Sequence, residues 1–293
     1  MYYYSAYSLH IGSDIPLLEL PSTDRGGDVN VLLRKPRPLD APQSIRWIDG
    51  PQKEARFLYP QTGEFQVRNG CEVIVTPAPG AEADLLRLYV QGMMLAAVLY
   101  QRGLFVLHSS IVSREHGAIA LVGPVGIGKS TLASGFHARG FSVVADDNAA
   151  IDVRTVPLTV QPAFPTLKIY PDVATALGYD AHSLTPMHRS QRKHAQTVRN
   201  GFAAQPVRLT AIYVLDREAD PNIRSISTVD AVTEIIRHSV PTRWNVAGDA
   251  EHLKQCGLLA SRIPIFRARS FSNLFDIQRV LDCIQAHHEE TTA

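Results

Sequence analysis

The chain has 293 residues, 45% apolar and 19% charged, and a formal net charge of +1 at pH 7. That length and apolar content suffice for a full hydrophobic core and exclude a disordered or fibrous chain. The near-neutral charge excludes a sequence-blind duplex DNA binder, which draws its affinity from a large excess of Lys and Arg facing phosphates, so no nucleic-acid partner is expected.

The opening stretch MYYYSAYSLHIGSDIP has neither the basic head nor the apolar core of a secretory signal. The longest wholly apolar run, MMLAAVLY at 93–100, is far shorter than the roughly 20 residues of a membrane span. A cytoplasmic protein without a membrane partner is expected. Cys71, Cys256 and Cys283 lie far apart with no C-x-x-C pair, and read as free buried thiols in a reducing compartment.

In chain order, residues 1–82 combine frequent Pro and Gly with short β-type runs (VNVLLR, CEVIVTP) and the turn signal RNG before Cys71. They read as a β-rich N-terminal module. From Asp84 to Gln101 a broad apolar face, an acidic start and the Arg102-Gly103 stop predict a buried helix. LFVLHSSIV at 104–112 is a strand candidate, and AIALVG at 118–123 is a second that runs into a glycine-rich loop. A helix from about Lys129 to Arg139 follows, with Leu132 and Phe136 on one face and Gly140 as its stop. Gly135 inside it costs about 1 kcal/mol relative to Ala, which predicts a close contact there. FSVVADD then returns as a fully buried strand, and AIYVLD at 211–216 is another. VDAVTEIIRHSV and SNLFDIQRVLDCIQAH have helical spacing, the latter through Leu274, Ile277, Leu281 and Ile284. The expected fold is α/β, a mixed sheet flanked by helices over 83–293, with the β-rich module over 1–82.

GPVGIGKS at 123–130 matches the Walker A pattern G-x-x-x-x-G-K-S/T in full, after an apolar strand and before a helix. Gly126 and Gly128 let backbone N–H groups turn inward as an anion nest, and the helix N-terminus adds positive potential behind them. The expected nucleotide contacts are Gly123, Val125, Gly126, Ile127, Gly128, Lys129, Ser130 and Thr131. Lys129 can reach the β- and γ-phosphates, and the Ser130 hydroxyl can ligate Mg²⁺. ATP and Mg²⁺ are the cofactors this implies.

Asp146 and Asp147 end a buried strand and so lie at the sheet edge beside the loop. Successive strand residues point to opposite faces, so one can hold the Mg²⁺ shell while the other accepts the proton of an incoming hydroxyl. A single Walker-B-type carboxylate, with its neighbour as a turn residue or helix cap, is the lesser alternative. Asp216 ends a rival strand of the same form, but READP follows it as an ordinary turn. His108, on an apolar strand, reads from spacing alone as a hydrogen-bonded core residue. Between Ala181 and Leu215 there is no Asp or Glu, while Arg192 and Lys193 sit among five basic residues. This is a segment that closes over phosphates or receives an acidic peptide, or else a solvated loop. Arg243 in PTRWNV is a further phosphate-side candidate.

Three blocks, LHSS (107–110), GPVGIGKSTLA (123–133) and RGFSVVADD (139–147), in that order and at those intervals, resemble the HPr kinase/phosphorylase superfamily. The likeness is greatest to the HPr-kinase-like proteins that accompany lasso and other ribosomally made peptides. Weaker echoes lie at 3–20, 99–110, 162–172 and 263–270. The resemblance implies a kinase core akin to that of phosphoenolpyruvate carboxykinase. It implies Asp146 as the proton-accepting base, Asp147 at the metal, and His108 at the active site next to the phosphates. There is no counterpart of the E-x-R-G-L-G segment tied to dephosphorylation, and the N-terminal part departs from the regulatory domain of true HPr kinases. The expected activity is transfer of the γ-phosphoryl group of ATP to a serine-type hydroxyl of a peptide or small protein, a ribosomal-peptide precursor among the candidates. Two rivals remain open, an ATP-binding regulatory module without transfer and a small-molecule, carboxykinase-like kinase. A homo-oligomer is compatible with either.

Overall fold

The computed structural model describes residues 1–48, 53–244 and 249–292. Seven strands between Tyr2 and Pro77 form one sheet. Its edge is a hairpin of Tyr2–Ala6 and Leu9–Ser13, whose two-residue turn places Tyr7 and Ser8 at φ 56° and 60°. Turns of this hand match the twist of the flanking strands. The RNG signal closes a second hairpin, with Asn69 and Gly70 at φ 52° and 64°.

A second, nine-stranded sheet is mixed and carries the rest of the core. At its centre Val207–Asp216 runs parallel to Gly117–Val122 on one side and to Ile265–Arg269 on the other. Helices Lys129–Ala138 and Ile277–Thr292 cover one face through Leu132, Phe136, Leu281 and Ile284. The other face packs on helix Ala83–Gln101, helices Thr228–His238 and Ala250–Arg262, and the N-terminal sheet. Phe57 and Phe65 of that sheet share one apolar cluster with Leu99, Phe105 and Ile212, so the core runs on across residue 82.

Four elements differ from the sequence reading. The strand expected over 104–112 is two strands, Phe105–Leu107 and Ser109–Arg114, broken at His108. The helix expected over 84–101 holds a π-helical turn at Val90–Met94 between Ala83–Tyr89 and Leu95–Gln101. By length and composition this helical stretch could cross a membrane, yet Val90, Met94 and Leu99 are at most 1% exposed within the fold. Leu274 falls in a 3₁₀ turn before the last helix and is 37% exposed, off the buried face formed by Ile277, Leu281 and Ile284. The three cysteines are free, but only Cys256 is buried.

Gly135 behaves as its helix cost suggested. A Cβ there would lie 2.6 Å from Leu281 Cδ1, so the small residue lets the last helix approach.

Candidate active site

The three parallel strands end on the same side, and the glycine-rich loop that follows Gly117–Val122 is touched there by the turns that follow the other two. This is the carboxyl edge at which open α/β sheets bind ligands. Arg217 donates to the carbonyl of Gly126 at 3.3 Å, and Ser270 Oγ donates to the carbonyl of Ile127 at 2.6 Å. Gly126 and Gly128 have φ of 81° and 111°, the backbone an inward-facing nest of amides requires. A Cβ on Gly128 would drive into the ring of Phe271, whereas one on Gly126 meets nothing within 4 Å. The loop is therefore clamped at its base and open at its tip, where Val125 is 85% exposed.

Lys129 Nζ is held by the carbonyls of Gly123 and Pro124 at 2.9 and 3.2 Å. Burial lowers its pKa to about 8, helped by the charges of Lys193 and Arg243 and opposed by Asp146 and Asp147. Lys193 Nζ donates to Ser130 Oγ at 3.2 Å. The acid-free segment carries strands of its own. Thr185–Pro186 and His194–Thr197 join Thr166–Ile169 in a small sheet, and between them the chain spans the cleft from Glu82 to Ser130. His188 and Arg189 pair with Glu82 at its far end.

The corner facing the loop is made by two strand breaks that coincide. Leu107 opposes Ala149 and Ser110 opposes Asp146 in one antiparallel register, but the ladder is interrupted between those pairs. There Asp147 takes φ 86°, a region that Asp tolerates and most residues avoid. The nine-stranded sheet bends back on itself at this break, and the break turns His108 and Asp147 out of the sheet. His108 Nδ1 donates to the backbone carbonyl of Asp147 at 2.8 Å and lies 3.3 Å from its carboxylate. A carbonyl only accepts, so Nδ1 carries the hydrogen, and in the neutral ring the lone pair is on Nε2. Lys168 Nζ donates to Asp147 Oδ2 at 2.6 Å. Burial alone would raise the Asp147 pKa, but the charge of Lys168 and the His108 contact hold it well below the usual carboxylate range. Lys168 is held above its ordinary value, burial being outweighed by the Asp147 charge.

Asp146 sits differently from its expected place in the cleft. It is 4% exposed, and its oxygens accept from Ser110 Oγ at 2.5 Å and from the backbone N–H of Lys168 at 2.8 Å. The carboxylate that lines the cleft is Asp147, while Asp146 lies one layer behind with Ser110 in front of it. Asp216 caps its own turn through the N–H of Glu218 and pairs with Arg267, away from the cleft.

The cleft between loop and corner has a volume of about 820 Å³, within the range of small-molecule and cofactor sites. Its described lining includes five basic side chains, Lys129, Lys168, Arg192, Lys193 and Arg243, against the single carboxylate of Asp147. With Lys168 matched to Asp147, four cations remain. Arg192 and Lys193 stand over the ring of Tyr170, at 5.9 and 5.6 Å from its centroid.

Several of these groups were missed in the sequence. Lys168 lies within the weak echo at 162–172 but on no recognisable motif, and Ser110 shares the LHSS block with His108. Tyr7, from the N-terminal hairpin, donates its hydroxyl to the carbonyl of Asn148 at 3.2 Å, bracing the corner from 141 residues away in sequence. Burial first, then the charges of Asp147 and Asp146, raise its pKa.

No protein-family model matches the chain, and no curated protein does. Among solved structures the chain is similar to the HPr(Ser) kinase/phosphatase from Coxiella burnetii, at 12% identity and a TM-score of 0.37, over 64% of this chain and 99% of that one.

Proposed function

We propose that this chain is an ATP- and Mg²⁺-dependent kinase that moves a γ-phosphoryl group onto a hydroxyl. The observation that carries this reading is the juxtaposition of an anion nest with the His108–Asp147–Lys168 corner across one cleft, whose described lining holds four cations beyond the Lys168–Asp147 pair and so suits a triphosphate. The residues present fit the nucleotide and the metal: the loop has a clamped base with inward-turning glycines, and the Ser130 hydroxyl and the ionised Asp147 carboxylate both line the cleft. Mg²⁺, when bound there, supplies charge neutralisation at the transferring phosphoryl group.

The protein's own groups do the rest. Loop amides and Lys129 hold the phosphates, and Arg192, Lys193 and Arg243 add positive charge around them. Asp147 and its carbonyl fix the His108 ring, leaving Nε2 to take the proton of the acceptor hydroxyl as its oxygen attacks phosphorus. This is the orienting logic of an acid–histidine pair. Asp146 positions the corner by holding Ser110 and the backbone of Lys168.

A second reading keeps Asp146 as proton acceptor. Ser110 Oγ lines the cleft and donates to Asp146 at 2.5 Å, so the acceptor proton can pass to the Ser110 oxygen as Ser110 hands its own to Asp146. The finer expectation, a serine acceptor in a ribosomally made peptide precursor, is supported by the resemblance of the three sequence blocks and belongs to this proposal. So does a cytoplasmic setting.

The test is phosphate transfer from labelled ATP to peptide pools and metabolite pools, with intact-mass readout. His108→Gln is expected to keep ATP binding and to lose about 10²–10⁴ of the transfer rate. If Asp146→Asn does so instead, the Ser110 relay is the route. Absence of transfer by the native chain, with ATP bound, leaves the regulatory-module alternative.

A further inference from the structure

The cleft has a second wall with no charge on it, formed by the helical stretch Ala83–Gln101. Leu85, Leu88, Tyr89, Gly92 and Met93 line the cleft from this stretch. Its one central cation, Arg87, is 7% exposed and turned away to Glu19 and Asp84. All five cleft cations belong to other segments. Lys193 is bonded to Ser130 of the phosphate loop, and Lys168 to Asp147.

Two features of the wall are costly unless they serve a ligand. One is the π-helical turn Val90–Met94, a geometry that occurs mostly as single turns inside α-helices and is frequent at functional sites. The other is Gly92 within that turn, a residue that costs about 1 kcal/mol in a helix relative to Ala. No close packing demands a glycine there, since a Cβ built on Gly92 meets no atom within 4 Å. The space it leaves open is cleft. Gly92 is also tied to the reacting corner: its carbonyl accepts from Asn148 Nδ2 at 3.1 Å, and Asn148 follows Asp147 directly. Met93 is fixed by the indole N–H of Trp244.

We infer that the wall around Gly92 is the acceptor subsite, and that it takes a peptide whose acceptor hydroxyl is flanked by apolar or aromatic side chains. This rests on the kinase reading and adds the substrate class to it. A hydroxyl that attacks in line must approach from the His108–Asp147 end of the triphosphate, and the Gly92 wall adjoins that end. An acidic acceptor segment would leave its carboxylates facing Leu85, Leu88 and Met93 without a partner, which is unfavourable.

The experiment uses the full chain, Mg²⁺, labelled ATP and two pools of serine decapeptides, one with Leu or Phe on both sides of the serine and one with Asp or Glu. The apolar pool is expected to be labelled with a kcat/KM about tenfold or more above the acidic pool. Gly92→Leu is expected to raise KM for the apolar pool about tenfold while leaving the Kd of a fluorescent ATP analogue unchanged. Leu88→Ala, which only shortens a half-buried side chain, is expected to lower kcat/KM for the apolar pool selectively, and it decides the matter if Gly92→Leu does not fold. Equal labelling of the two pools, or a loss of ATP affinity in Gly92→Leu with peptide KM unchanged, overturns the acceptor subsite and leaves the kinase reading standing. Labelling of a metabolite pool but of neither peptide pool by the native chain also overturns the peptide subsite and leaves the kinase reading standing, and no labelling of any pool, peptide or metabolite, overturns both.

Discussion

The phosphate loop and the corner that faces it are built in opposite ways. Residues 123–131 are contiguous, and their shape follows from glycines at positive φ between a strand and a helix. The corner is assembled from His108 and Asp147, each at a break between two strands, and Lys168 on the strand Thr166–Ile169, and they meet only because the two neighbouring breaks coincide. Local geometry shapes the loop, so its fold, though not its binding, tolerates the loss of a side chain. The corner is a network of mutual charges, in which each group is stable only with its partners.

Replacing one lysine in each region breaks this comparison most sharply. Lys129→Met is expected to weaken ATP binding by about 10²-fold or more, since it removes a cation aimed at phosphate. Its thermal stability is expected to hold or rise, because a buried, partly repelled ammonium has been removed. Lys168→Met is expected to lose transfer activity and also about 1–3 kcal/mol of stability, because Asp147 is left charged and half-buried without its main partner. ATP titration and thermal melting of the two variants check both halves. Equal stability losses would mean that the loop is as network-dependent as the corner.

The pH dependence sharpens the same contrast. Lys129 has a folded-state pKa lowered to about 8, so its charge is full below that value and lost as pH rises through it. ATP affinity is expected to be level at pH 6.5–7 and to fall through pH 8–9, and the fall is expected to vanish in Lys129→Met. For stability the sign is opposite. Between about 8 and the ordinary lysine value the unfolded chain binds the extra proton, so this group makes folding more favourable as pH rises across that window. Asp147, held below the carboxylate range, contributes stability that is present at neutral pH and lost only as pH falls through its depressed value. Urea midpoints across pH separate the two.

The smallest effect concerns what supports the loop. Gly135→Ala should gain helix propensity but presses on Leu281 at 2.6 Å, and overpacking of this kind costs typically 1–3 kcal/mol. A net loss of about 1 kcal/mol in a denaturant melt, with ATP affinity unchanged, is expected. A gain would show that the last helix yields easily.

The sequence by itself determined the features that depend on neighbours in the chain. The strand, glycine turn and helix of the loop follow from short-range sterics, as does the helical spacing of Ile277, Leu281 and Ile284. The stop at Gly140, with φ 88°, belongs with them. The arrangement of the paired aspartates was decided elsewhere. Strand alternation says that Asp146 and Asp147 differ in direction, but which of them meets solvent depends on the break at Asp147 and on Lys168 claiming both carboxylates, through its N–H and its ammonium. His108 is the same case, an apolar-strand residue by pattern that the fold turns outward. The support of the corner by Tyr7 and the uncharged wall around Gly92 come from chain segments remote in sequence. Periodicity registers which face of an element is buried, and only the packed structure sets which buried or half-buried polar groups find one another.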